Sequence, residues 1–417
     1  MPAHFAMLIG GVAVLLAVIG FVAVLTGMRR RGMDRWVGTY IKESSRRRSR
    51  VRRRAGRSGP IHVLLCIADH YEPQHGKVDA TRAAARVQSW VCNYPRLLGR
   101  FRDSDGGPPR HTFFFPIDEY DPAHLDALAE LCRAGYGEVE IHHHHDGDTA
   151  EALRERLLEF KRLFRQRHGF LPHDKCTGEV KYGFVHGNWA LDNSRPDGRW
   201  CGVNNELDVL RETGCYADFT MPSAPSPTQT RKINSIYYAV DNPRRPKSHN
   251  WGVDAGDGPP TDNALLLVQG PLVLNWKNRK AGILPRVENG NLQGNQPPTA
   301  ARLDLWLRAA VQVKQRPDWY FVKLHTHGAT ERNQAVLLGE AMVQFHQALA
   351  SRATADCNFK FHYVTAREIY NLVRAAEAGW TGEVAKARDF ELVCEYGQFP
   401  RPEQDPHEHT PAGASLS

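Results

Sequence analysis

The sequence predicts an α/β protein: a mostly parallel sheet covered by helices, either open or closed as a barrel, preceded by one transmembrane helix. Three observations predict it. Short apolar runs rich in branched residues alternate with amphipathic stretches of helical period. An uncharged run near the N-terminus is long enough to cross a bilayer. Histidines and carboxylates collect at the ends of the apolar runs, where a parallel α/β sheet binds its ligands.

Residues 5–28 carry no charge. At 1.5 Å per residue they reach about 36 Å, enough to span with some tilt. A cleaved signal peptide would carry basic residues before the run, whereas here they follow it. The run is therefore expected to be a retained anchor in a bacterial-type inner membrane. Arg29, Arg30, Arg31, Arg35, Lys42 and the arginines at 46–48, 50, 52–54 and 57 more than account for the net charge of +8. The remainder is close to neutral, which argues against nucleic acid as a partner. The positive-inside rule puts residues after 28 in the cytoplasm. The eight cysteines are dispersed and form no Cys-x-x-Cys pair. That pattern suits a reducing compartment and gives no reason to expect a thiolate zinc site.

With 417 residues and 41% hydrophobic content, the chain suffices for one large domain or two small ones. The globular part opens with "IHVLLCIADH", a buried strand. A helix follows over 79–101, capped by Asp79 and disturbed near Pro95. Strand 111–116 precedes a helix over 121–133 with Pro122 at its first position. "EVEIH" is the next strand, and 148–167 a long helix from an Asp-Thr cap. Later strands are expected at 182–186, 215–221, 235–240, 264–269, 319–327 and 359–364. Helices are expected at 205–213, 300–315, 330–351 and 366–378. Residues 241–262 and 281–298 are dense in Pro, Gly and Asn and read as long loops. The organisation expected is an anchor at 1–28, a basic linker at 29–59, a catalytic domain at 60–380 and a partly disordered extension at 381–417.

Four strand ends carry the chemistry. "CIADHYEP" supplies Asp69, His70 and Glu72, and "EIHHHHD" supplies His142 to His145 and Asp146. "FVHGNW" supplies His186, Asn188 and Trp189, and "KLHTHG" supplies His325 and His327. Residues i and i+2 of a strand share a face, so His142 and His144 point together and His143 and His145 point away. Two imidazoles and a carboxylate from another strand, with water, make an open site for zinc or a similar divalent ion.

Taken in order, these motifs resemble those of the NodB-like polysaccharide deacetylases over about residues 60–375. Asp69-His70 stands where that family has an Asp-Asp pair. "EVEIHHHHD" matches the Glu-x-Gly-x-His-x-x-x-His motif at Glu138 and His142, with Asp146 in place of the last His. "FVHGNWALDNS" stands where the family carries Arg-x-Pro, and "FVKLHTHG" matches the final motif at Leu324 and His325. The resemblance implies a distorted (β/α) barrel and a membrane-anchored, metal-dependent hydrolase of carbohydrate. Its expected reaction removes an acyl group from an amino sugar of a polysaccharide or its precursor, within a possible polysaccharide-synthesis complex. Asp69, His142 and His144 are expected to hold the metal. Glu72 or His70 would orient or deprotonate the water, with Asp69 also catalytic and His325 the general acid. His70, His186, Asn188, Trp189 and His327 are expected to contact the substrate. The missing Arg and second Asp motivate an alternative: a degenerate carbohydrate-binding or assembly protein on the same scaffold.

Overall fold

A computed structural model describes residues 2–30, 32–44, 59–258, 262–280, 282 and 284–395. The arginine block at 46–57 and the tail from Pro400 lie outside the described residues. The principal elements are α1 (Pro2–Arg30), β1 (Ile61–His70), α2 (Ala80–Leu98), β2 (His111–Pro116), α3 (Pro122–Arg133), β3 (Gly137–His143), α4 (Ala150–His168), β4 (Tyr182–His186), α5 (Glu206–Glu212), β5 (Cys215–Asp218), β6 (Ile236–Val240), β7 (Ala264–Val268), α6 (Ala300–Ala309), β8 (Trp319–Thr326), α7 (Glu340–Ala355), β9 (Phe359–Tyr363) and α8 (Ala366–Glu377).

The strands form one mixed, mostly parallel sheet in the order β8-β1-β2-β3-β4-β5-β7-β6, with Val253–Asp254 beyond β6. Only β6 and the short strand Val253–Asp254 run against their neighbours. Strand β1 changes partner along its length. Its first half pairs with β9, from Ile61↔Phe359 to Leu65↔Tyr363, and its end pairs with β2, from Ala68↔Thr112 to His70↔Phe114. Its other edge pairs with β8 over His62↔Trp319 to Asp69↔Thr326.

Alternation divides each strand between two apolar cores. One face carries Val63, Leu65, Ile67, Phe113, Phe115, Ile141 and Phe184 beneath the flanking helices. The other carries Leu64, Cys66, Ala68, Phe114, Val185 and Phe321, and α8 closes it with Ile369, Leu372 and Val373. We call this second face the inner one. The backbone ladder does not close into a barrel among the described residues. The gap beside β8 is crossed instead by Lys323, whose Nζ donates to the carbonyls of Phe219 and Met221 at 2.5 and 2.7 Å. Burial pulls that ammonium down to about 8.

The helix ends follow their chemistry. Asp79 accepts from Arg82 N–H, Asp121 accepts at the start of α3 with Pro122 in first position, and Thr149 accepts from Ala152 N–H. Two expected helices differ, one shorter and one split. The 300–315 helix stops at Ala309, because Ala310 turns left-handed at φ 51°. The 330–351 helix is two, Glu331–Leu337 and α7, parted at Leu338 and Gly339. Inside the expected 281–298 loop, Leu284–Glu288 pairs with Val273–Lys280 as a hairpin. Part of the expected C-terminal extension packs onto the domain: Leu392–Val393 pairs with His173–Asp174.

Helix α1 forms over 29 residues, but the side chains of residues 1–10 and Ala13 lie outside the described set. Among the described residues no helix is long and apolar enough to cross a membrane, so the expected span finds no support there. What α1 does present is an exposed apolar surface that includes Leu15, Leu16, Phe21 and Val22. Beyond Gly32 the chain docks on the domain. Met33, Trp36 and Val37 are buried against Ala224, Ile233, Leu272 and Leu274.

Candidate metal centre

The last residues of β1 alternate across the sheet. His70 falls on the inner face, continuing Leu64, Cys66 and Ala68, and Asp69 on the opposite one. The chain then turns, and Glu72 swings in above the sheet. Its carboxylate is buried and ringed by imidazoles. Glu72 Oε1 lies 3.2 Å from His142 Nε2, 3.6 Å from His144 Nε2 and 3.7 Å from His327 Nε2. Its Oε2 lies 2.7 Å from His75 Nδ1. The His70 ring stands 4.9 Å from that of His142 and 4.8 Å from that of His327, centroid to centroid. His70, Glu72 and His142 each offer a ligand atom within 4.8 Å of the others.

Proton placement at His142 decides what this geometry means. His142 Nδ1 lies 2.8 Å from the Val185 carbonyl, which can only accept, so Nδ1 carries the hydrogen. In the neutral ring Nε2 is then a lone pair aimed at a carboxylate oxygen. Two acceptors at that distance need a proton or a cation between them. A backbone carbonyl fixing one imidazole nitrogen while the other faces a carboxylate is the orienting arrangement of metal-ligating histidines. The residues present therefore fit a divalent ion.

The neighbouring charges sort the remaining groups. Burial would raise the Glu72 carboxyl, but the imidazoles packed against it, His142, His144, His75 and His327, hold it well below its ordinary value when they carry protons. Desolvation, then His327 and His142, push His70 well below the usual imidazole range. His327 is lowered too, chiefly by burial. Both therefore keep a nitrogen lone pair at neutral pH. His144 goes the other way. Against its own desolvation, contacts with Asp118 at 3.1 Å and with Glu72 raise it to about 10. It is a held cation with its side chain partly open to solvent.

The structure places the expected site residues as follows. His70, Glu72, His142, His144 and His327 come together. Trp189 joins them: its ring lies 5.7 Å from His70 and 5.6 Å from His327, and its buried Nε1 has no partner. Asn188 precedes it in left-handed backbone, φ 55°. Asp69 stands apart. Its Oδ1 accepts from Gly328 N–H at 2.6 Å and its Oδ2 lies 2.8 Å from His111 Nε2. A Cβ at Gly328 would come within 2.1 Å of that carboxylate. Asp69 thus ties the loop after β8 to β1, and Glu72 is the carboxylate that reaches the centre. His186 lies on the outer face with His145, 4.7 Å between rings. His325 is on the inner face one turn of the pleat below His327, buried, with its Nδ1 unpartnered. Desolvation, then Lys323 and His327, lower it well below its ordinary value.

Asp118 and His75 are site residues that strand-end reasoning missed. His75 follows Glu72 in the spacing of one turn, and Asp118 follows the end of β2, so both were within reach of the same argument. Gly187 has a steric role here: a Cβ would approach the His144 ring to 2.3 Å. No protein-family model matches the chain, and no curated protein is significantly similar to it.

Proposed function

We propose that the chain is a metal-dependent hydrolase of carbohydrate that removes an acyl group from an amino sugar in a polysaccharide or its precursor. The observation that carries this reading is the buried Glu72 carboxylate facing the lone pair of His142, with His70 beside both. His70, Glu72 and His142 would hold the ion, with His327 within reach; zinc suits imidazole and carboxylate ligands. When bound, the ion would acidify a water and polarise the acyl carbonyl. His144 carries a proton at neutral pH and faces the same space. It is better placed than His325 to protonate the leaving amine. Trp189 offers an apolar ring beside His70 and His327, which suits a sugar ring. The resemblance of the strand-end motifs supports the substrate class.

The apolar surface of α1 supports anchorage of this hydrolase in a membrane. The domain would lie on the side of Arg29, which the positive-inside rule assigns to the cytoplasm. A reporter fused after Ser417 should then be active inside; activity outside only would reverse the orientation.

The test uses the full chain in detergent, with elemental analysis and acetate release from N-acetylated oligosaccharides. Glu72→Gln and His142→Ala should each lose the ion and the turnover. His143→Ala, on the other face, should keep both. Equal metal loss in His143→Ala would overturn the assignment. A second reading has its own observation: Glu72, His142, His144 and Asp118 already form a continuous chain of contacts. Oligosaccharide binding with neither metal nor turnover would favour a binding protein.

A further inference from the structure

Four buried side chains on the outer face remain outside the proposed reaction. They are His145, just beyond β3; His186, at the end of β4; Cys201, in the following loop; and Glu206, at the first turn of α5. All four are buried, and one ligand atom from each lies within 4.8 Å of the others. Glu206 Oε1 lies 3.1 Å from His145 Nε2 and 3.4 Å from His186 Nε2, and Oε2 lies 3.4 Å from Cys201 Sγ. With zinc bonds of 2.0–2.3 Å, neighbouring ligands of a tetrahedral site stand about 3.5 Å apart.

The contact between His186 and Glu206 calls for a proton or a cation between two acceptors. His186 Nδ1 donates to the Gly187 carbonyl, so its Nε2 is a lone pair in the neutral ring. That nitrogen is fully buried, has no hydrogen-bond partner and points at a carboxylate. Cys201 Sγ receives backbone N–H groups from Asn193 and Val203, as a ligating thiolate would, and as a thiol it faces the Val203 carbonyl and the Glu206 carboxylate. A dication among one thiolate, one carboxylate and two neutral imidazoles gives a buried unit of zero net charge, the form a protein interior tolerates best.

We propose that His145, His186, Cys201 and Glu206 form a second metal site, closed and four-coordinate, for zinc. A closed set of four protein ligands is the mark of a structural ion. It would pin loop 187–205 to the ends of β3 and β4. That loop needs a pin: Asn188, Trp189, Asp192, Asn193 and Trp200 all hold positive φ. It is also the loop that carries Trp189 to the rim of the first centre. The histidine run thus serves two centres, His142 and His144 inward and His145 outward.

The experiment loads the full-length chain in detergent with Zn²⁺ or Co²⁺ after chelation, then measures bound metal and the absorption spectrum. The Co²⁺ form should show a thiolate-to-cobalt charge-transfer band in the near ultraviolet. Cys201→Ser and His145→Ala should each lose one equivalent of metal and that band. Glu72→Gln should keep the band whether or not the first centre binds metal, so failure there leaves this site separately measurable. If Cys201→Ser fails to fold, the wild-type spectrum decides alone. Absence of the band, or a Cys201→Ser variant that keeps the full metal content of the wild type, overturns the proposal.

Discussion

A buried titratable side chain fixes how the fold responds to acid, and His346 shows this most simply. It is buried on α7 between Phe101 and Phe345, with its Nδ1 2.8 Å from the Tyr363 hydroxyl. Desolvation lowers it to about 3, against 6.5 in the unfolded chain. Above pH 6.5 the ring is neutral in both states and costs nothing. As pH falls below 6.5 the unfolded chain takes up a proton that the native state refuses, and stability drops until about pH 3. Between pH 7.5 and 5.5 this one group should remove about 1.4 kcal/mol. Urea unfolding at the two pH values measures it. In His346→Phe the pH difference should shrink by about that amount; an unchanged difference would refute the assignment.

Helix α8 is held to the start of β3 by a buried ion pair. Arg367 forks onto Glu138, Nη2 at 2.7 Å and Nε at 3.0 Å, and its Nη1 reaches the Leu392 carbonyl at 2.8 Å. Arg367→Leu would strand the Glu138 carboxylate and should cost about 3–5 kcal/mol in denaturant unfolding. Adding Glu138→Gln should recover part of that; a loss below about 1 kcal/mol in the single variant would show the charge is otherwise compensated. Elements of this kind were readable in the sequence where one local signal sufficed. Short apolar runs, branched or aromatic, marked β1 to β9, and Asp79 and Pro122 marked helix starts. What escaped needed information from elsewhere in the chain. Nothing local stops a helix at Ala310. The strand at 273–280 is rich in Lys, Arg and Asn and exposed over most of its length, and the strand at 284–288 is five residues long and contains Pro285. The alternation that sorted His142 from His143 applies equally to Asp69 and His70, and would have sent Asp69 outward. Glu72 and Cys201 reach their places through turns, which period-two reasoning does not follow.

At the scale of the whole molecule, the contact between the N-terminal segment and the domain is small and apolar. Trp36 lies at its centre, fully buried and edge-on to Tyr40 at 5.7 Å, and Tyr40 receives the Leu274 N–H. Trp36→Ala should remove about 3–5 kcal/mol from this docking. Limited proteolysis in detergent should then cut the 32–44 segment faster, while the thermal midpoint of the domain stays put. Unchanged cleavage would mean that other contacts hold the segment. A freely jointed tether would let the domain sweep a hemisphere of solvent. A docked one fixes the point at which the chain leaves the domain, so that under the proposed anchorage the domain would be held beside the lipid rather than left to wander from it.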